Sequence, residues 1–544
     1  MKRVLPAVAL LLSAFLLFGP AGWTPGQLPG DPGLRYGPVT VNLHWQIHER
    51  GISSYIADDL HGYPYRTDRM ATDGLPLDAV FSAPLCWLLG TPKGMWLWVL
   101  GLLWAQGLAA GALAARFWDR PHAFLLGGAA YQLSEAGLRE LGEGRYATVF
   151  VGVLLPLLLA AALECRRQRL WAVAVGGLVG IVGMMDPSLL PLALLLGLGG
   201  MWGSSAWVLL YFAAGLSVFG GAPLAWLLSG LGELPSLSMD PWSPALLDFS
   251  YQKPVEQVAR RIFGWDGVML GSLLRPVWGL GLVVVVGSQA PARWRLPAIL
   301  GLLSALLGLG PYLPGPLVLP SGWLLELPLL QRAWWSNRAW WGVGLCGAVL
   351  LGGLSQEGIS RFLKLPFRLD PRLFAGLVAI GLGVEAAALS KSLPFSTIPL
   401  PPADSAKILA NYADLPMVLL PLPGGRFRPD HFDLLDQISH GRPLAHGTRP
   451  PFDLTAPDAL LRNWRQNAGL RALAACETGQ PMPLTGQEQK DLLHAGLRVV
   501  YVDSRYVLAD ATGQAYMSCV EGVLAGWEQG QEQAPFRKYE VRLN

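Results

Sequence analysis

Residues 142–169 read GEGRYATVFVGVLLPLLLAAALECRRQR. From Tyr146 to Leu163 there is no charge, and the run ending at 164 has the length, roughly 17 to 25 mostly apolar residues, that a membrane helix needs. One flank is a small polar turn with Glu143 and Arg145; the other carries Arg166, Arg167 and Arg169. Arginine and lysine collect on the cytoplasmic side of membrane helices, so this stretch predicts a span that enters from outside and leaves inside.

The same grammar repeats along the chain, and about eleven apolar runs qualify. They lie near 4–20, 94–115, 121–134, 146–164, 170–185, 187–201, 205–228, 268–288, 296–312, 338–355 and 372–390. With a cytoplasmic N-terminus, the inner segments hold Lys2 and Arg3; Arg116 and Arg120; Arg166, Arg167 and Arg169; Arg293 and Arg295; and Arg361, Lys364, Arg368 and Arg372. Five separated segments agree in sign, which a missed middle helix would break. The parity puts the loop 21–93 and everything after about 391 outside. The first run also suits a cleaved signal peptide, although no clean small-x-small site follows it.

Composition agrees. Of 544 residues, 52% are hydrophobic and 15% charged, against roughly 25% charged in soluble domains. The 41 basic and 38 acidic residues leave +3, too balanced for a nucleic-acid partner. The fold class expected is a polytopic α-helical membrane protein with a small C-terminal α/β domain. Its parts are a membrane domain at 1–390, a Pro-rich linker at 391–403 (PFSTIPLPPA from Pro394) and an exported soluble domain at 404–544 with strand-like runs MVLLPL and LRVVYV. Cys476 and Cys519 both fall in that domain, where a disulfide and two free thiols remain alternatives.

Polar groups concentrate on the outer side. The first loop holds Asp31, His44, His48, Asp58, Asp59 and His61; His44 and His48 share a helix face, read as interfacial with their tips in water. Arg332 and Arg338 lie among Trp334, Trp335, Trp340 and Trp341. That setting suits a lipid-phosphate site or a snorkelling aromatic belt. Arg139 and Arg145 fall in a short outer turn, and Asp186-Pro187 in another. The tail carries a cluster from Arg426 to His446, read as a solvated face or a docking surface against the membrane loops, with acceptor binding as the alternative. No zinc-type ligand spacing occurs.

The order of several short motifs resembles the GT-C superfamily of polytopic glycosyltransferases, in its bacterial, YfhO-like branch. These are Gly30-Asp31, then Asn42-Leu43-His44-Trp45, Asp73-Gly74-Leu75-Pro76-Leu77, GEGR at 142–145 with Leu155-Pro156-Leu157, GLGP at 308–311, LPLLQR at 327–332 with Asn337-Arg338, and QISHGRP at 437–443. The resemblance implies transfer of a sugar from a polyprenyl-phosphate-linked donor to a glycan, lipid or protein acceptor, outside a bacterial inner membrane. It implies an acidic first-loop residue as base or metal ligand. By position Asp31 comes first, with Asp58 and Asp59 next; a turn or cap role for Asp31 in GDPG stays open. Arg332, Arg338 and Arg145 are the candidate partners of the donor phosphate. A divalent metal is compatible with this chemistry. A scaffold that has lost catalysis, or a transporter, would share the architecture.

Overall fold

The computed structural model describes residues 4–18, 27–30, 36–56, 77–229, 291–308, 336–354, 370–390, 393, 395–399, 416–422, 437, 444–445, 467–478, 486–507, 510–525, 527–529 and 536–540. In the membrane part, α1 is Val4–Phe18, β1 Gln27–Pro29, α2 Tyr36–Arg50, α3 Ile52–Ile56, α4 Leu77–Leu89 and α5 Thr91–Trp118. There follow α6 Pro121–Gln132, α7 Glu135–Gly142, α8 Tyr146–Glu164, α9 Trp171–Met185, α10 Leu190–Gly200, α11 Trp207–Ser229, α12 Pro291–Gly308, α13 Trp340–Gly352 and α14 Pro371–Leu389. Each predicted span among the described residues is a helix; the run 268–288 lies outside them.

Two of these helices, over Lys93–Trp118 and Tyr146–Glu164, are long and apolar enough to cross a membrane unaided, and the other apolar helices are shorter. Leu5, Leu16, Val218, Leu302, Ile380 and Val384 are each more than 60% exposed. Large apolar side chains turned outward from apolar helices are surface made for lipid, so the fold is a polytopic helical membrane fold. Small residues set the packing. A methyl on Gly176 would stand 2.1 Å from the Phe212 carbonyl oxygen, and one on Gly215 would stand 2.1 Å from that of Val173. The glycines thus let α9 and α11 touch backbone to backbone.

The polar ends sort into two groups. Arg116 pairs with Glu164, the Arg166 guanidinium donates to the Trp202 carbonyl, and the Trp118 indole donates to the Val349 carbonyl. Thr148 donates to Asp186, which pairs with Arg338, and Ser390 donates to Glu135. Each group joins only helix ends that the charge parity puts on one side.

The loop 21–93 is more structured than a loop. It contains α2, α3 and α4, and α4 was not expected as a helix. Asp78, Ser82 and Pro84 interrupt its apolar character, and it folds back on α5 so closely that a methyl at Gly94 would lie 2.5 Å from the Cys86 Cα. Within the stretch read as a linker, β2 (Thr397–Pro399) pairs antiparallel with β1, Leu28 opposite Ile398.

The C-terminal part holds β3 Met417–Leu420, α15 Ala468–Thr478, α16 Gly486–His494, β4 Val499–Asp503, α17 Ala511–Val523, β5 Glu528–Gln529 and β6 Phe536–Glu540. The four strands form one sheet in the order β3-β4-β6-β5, with β3 and β4 parallel and β6 antiparallel to β4. Alternation along β3 and β4 buries both faces. Val418, Leu420, Val500 and Val502 pack with Leu473, Leu492, Tyr516 and Val520. Met417, Leu419, Val499 and Tyr501 face Leu444 and Val39 of α2. A disulfide, Cys476–Cys519, ties α15 to α17 with a Cα–Cα distance of 5.7 Å.

Candidate functional site

The cluster starts from α7, an eight-residue helix in the segment read as a short outer turn. Alternation of Leu138 and Leu141 with Glu135, Arg139, Glu140 and Glu143 turns one side into the apolar core and presents carboxylates to neighbouring chain. Gly144, at φ 79°, then reverses the backbone so that Arg145 folds back over the helix end. The result is a local ion-pair group. Arg139 Nε donates to Glu143 Oε1 at 2.8 Å, Arg145 Nη2 lies 2.9 Å from Glu143 Oε2, and Arg145 Nη1 lies 3.5 Å from Glu140 Oε2.

Arg338 arrives from the short 3-10 turn Ser336–Ala339 that begins α13. Its Nε stands 3.7 Å from Glu140 Oε1, and its Nη1 donates to Asp186 Oδ2 and, at 2.9 Å, to Ser188 Oγ. Asp186 closes α9 and caps the turn Pro187–Leu189; it also accepts from Thr148 Oγ1 at 2.8 Å. Arg338 is 11% exposed and Arg145 8%. Three guanidinium groups therefore face three carboxyls in a nearly dry setting. Burial pushes the Glu140 carboxyl above its ordinary range, against the pull of Arg145 and Arg338. Burial also opposes charge on Glu143, but Arg145 and Arg139 outweigh it and hold that carboxyl below its ordinary range.

The first loop adjoins this cluster. The Tyr146 hydroxyl donates to the Pro29 carbonyl, and Gly30 N donates to the Ser396 carbonyl at 2.8 Å. Methyls built on Gly30 and Gly37 would lie 2.3 and 1.9 Å from Ile398 Cδ1, and one on Gly144 would lie 2.6 Å from the Gly37 Cα. Only glycines let Ile398 seat in this notch. Gly30, the residue before Asp31, is thereby held against the GEGR turn.

Beside it, α2 and α4 enclose a second polar group. His44 Nε2 lies 3.1 Å from Asp78 Oδ2, its Nδ1 lies 2.8 Å from Ser82 Oγ, and His48 Nε2 lies 3.0 Å from the Ala79 carbonyl oxygen. His44, Asp78 and Ser82 are fully buried. The expectation of two histidine tips in water is thus corrected: α4 packs over both rings, burying His44 and half-burying His48. Asn42 donates to Gln437 Oε1 at 2.9 Å. Gln437 is the described member of the tail cluster.

Of the residues picked from sequence, Arg145 and Arg338 meet around Glu140. Asp31, Asp58, Asp59 and Arg332 lie outside the described residues. Trp340 and Trp341 are each 1% exposed, and Trp341 packs against the Tyr131 ring at 5.8 Å. The belt reading fails for these two and for Arg338, because helix ends enclose them on the protein side. Glu140, Asp186 and Asp78 were not singled out as site residues. A carboxylate five residues from Arg145 was a local signal for Glu140; nothing local ties Asp186 to Arg338. Among the described residues no group of three or more His, Cys, Asp or Glu could hold a metal ion.

No protein-family model matches the sequence, and no curated protein matches it. Solved structures do. The arabinofuranosyltransferase AftD from Mycobacteria is 17% identical with a TM-score of 0.59, over 100% of this chain and 40% of that one. ArnT from Cupriavidus metallidurans, bound to undecaprenyl phosphate, is 11% identical with a TM-score of 0.48, over 98% of this chain and 97% of that one. The oligosaccharyltransferase AglB from Archaeoglobus fulgidus, with an inhibitory peptide and a dolichol-phosphate, is 11% identical with a TM-score of 0.48, over 96% and 71%. The chain thus spans less than half the length of AftD, and the likeness is one of fold.

Proposed function

We propose that this chain, which has the fold of the GT-C glycosyltransferases, transfers a sugar from a polyprenyl-phosphate-linked donor to an envelope acceptor on the outer side of a bacterial inner membrane. The observation that carries the reading is the meeting of Arg145 and Arg338 at one helix-end cluster, beside the backbone that leads into Asp31. In the reaction the acceptor hydroxyl attacks the anomeric carbon, the sugar–phosphate bond breaks, and the lipid phosphate leaves with the bond's electrons. Arg145, Arg338 and Arg332 would neutralise that growing charge. Asp31, or Asp58 or Asp59, would take the hydroxyl proton. The acceptor, a glycan, lipid or protein, would approach beneath the C-terminal part, which lies on α2. The disulfide Cys476–Cys519 supports an oxidising, external location for that part.

The test is sugar transfer by single variants in membranes. Arg338→Ala and Arg145→Ala should each weaken donor binding by at least about tenfold, the scale of one charge-assisted hydrogen bond. Asp31→Asn, Asp58→Asn or Asp59→Asn should abolish turnover with donor binding kept. Unchanged transfer in all three acid variants, and unchanged donor affinity in both arginine variants, would overturn the reading. One observation favours a second reading: each of the three guanidinium groups already has a carboxylate partner, as in a structural lock of an inactive scaffold. That reading expects the arginine variants to lose folding and leaves the acid variants without effect.

A further inference from the structure

We propose that Glu140 is an internal stand-in for the donor phosphate, so that phosphate binding at Arg145 and Arg338 is coupled to uptake of one proton by Glu140; this rests on the phosphate reading of those two arginines. Glu143 and Asp186 are held tightly, the first by Arg139 and Arg145 at 2.8 and 2.9 Å, the second by Arg338, Thr148 and Ser188. Among the described residues Glu140 alone bridges Arg145 and Arg338, and it does so at 3.5 and 3.7 Å, longer than the distances that hold Glu143 and Asp186. Its carboxylate spans the two guanidinium groups that a phosphate would span.

With Glu140 ionised, its carboxylate stands between the two guanidinium groups and repels an incoming anion. Once Glu140 is protonated, that repulsion is gone and the site is more positive by one unit, matched to the single charge of a sugar–phosphodiester. The groups around Glu140 are Arg139 on α7, Glu143 just after it, Arg145 at the start of α8 and Arg338 before α13, with Asp186 behind Arg338. Burial already raises its affinity for a proton against that surrounding charge. Transfer leaves a phosphate monoester carrying more charge than the diester, and deprotonation of Glu140 would return a competing carboxylate to both arginines.

The experiment measures binding of undecaprenyl phosphate to the full chain between about pH 6 and about pH 8, in wild type and in Glu140→Gln. Linkage of one proton weakens wild-type affinity up to tenfold per pH unit relative to the variant, which cancels the probe's own titration. The variant should bind more tightly at the upper end and show no such slope. Inorganic phosphate is a second probe: the same slope at weaker affinity supports exchange at the headgroup, whereas a slope with the lipid alone assigns the effect to the chain and overturns the proposal. Calorimetry of the wild type in buffers of different ionisation enthalpy reads the proton directly, whether or not the variant folds. Parallel slopes in both proteins, or no proton uptake, overturn the coupling while leaving the phosphate site standing. Absence of binding at every pH overturns both.

Discussion

Asp186 and Arg338 stand 152 residues apart and meet in a buried ion pair. Removing one partner of such a pair leaves an uncompensated charge and costs about 3–5 kcal/mol. That distance explains what sequence concealed. Arg145 and Arg338 were legible as arginines of turns that the charge parity assigns to one common side, since the basic flanks of the apolar runs alternate along the chain. Their partners were not, because a carboxylate in a helix-terminating turn looks the same whether it caps its own backbone or reaches a distant guanidinium. His44 was visible but misjudged: Asp78, its partner, sits on a helix that Ser82 and Pro84 hide from hydropathy. His48 offers a residue-level test. Burial is the largest influence on it and lowers its pKa below 6.5, against the hydrogen bond to Ala79. As pH falls through 6.5 the unfolded chain takes up a proton first, so folded stability is lost on acidification and recovered as pH rises. The melting temperature should fall between about pH 7 and about pH 5.5, and His48→Gln should flatten that part of the profile. An identical slope in the variant would assign the effect elsewhere.

Among elements, the telling contrast is between helices and the short β1–β2 ladder. Helices were readable because lipid demands unbroken apolar runs. A three-residue strand paired across the chain has no such signature, and its position depends on glycines whose importance is steric. Gly144 combines φ 79° with only 2.6 Å between an added methyl and the Gly37 Cα. Gly203 has a similar φ of 83° and nothing within 4 Å of the same methyl. Gly203→Ala therefore measures backbone strain alone, about 1–3 kcal/mol. Gly144→Ala should cost clearly more, since the Gly37 backbone must also move, and should lower phosphate binding by displacing Arg145. Equal losses of melting temperature in the two variants would remove the notch as a special feature.

For the whole molecule, parity of charge and grouping of helix ends agree without sharing any data. One counts arginines in loops; the other records which ends touch. A cysteine placed at position 400 should react with an impermeant thiol reagent in intact cells, and reaction only after permeabilisation would reverse the orientation. On the denatured, unreduced protein, thiol counting should find the three free cysteines, Cys86, Cys165 and Cys346, and reduction should add Cys476 and Cys519. The C-terminal part was expected to be α/β from the strand-like runs MVLLPL and LRVVYV with helical patterns between them, and its described residues form a four-stranded sheet with three helices. Its seat on α2 was less so, because Val39 and Asn42 gain meaning only when Leu444 and Gln437 arrive.

The pairing of β1 with β2 also sets an order of manufacture. A ribosome delivers Gln27–Pro29 early and Thr397–Pro399 only after α14 has been inserted, so the early strand waits with its edge open while the helices between them enter the bilayer. The Arg139–Glu143–Arg145 group can close as soon as α7 and α8 exist, Asp186 is added with α9, and Arg338 completes the set much later. Ile398 comes last and fills the glycine notch. A half-made chain therefore carries acidic and basic groups awaiting partners, and the centre becomes whole only after α14 has been made, which ties competence to the late helices.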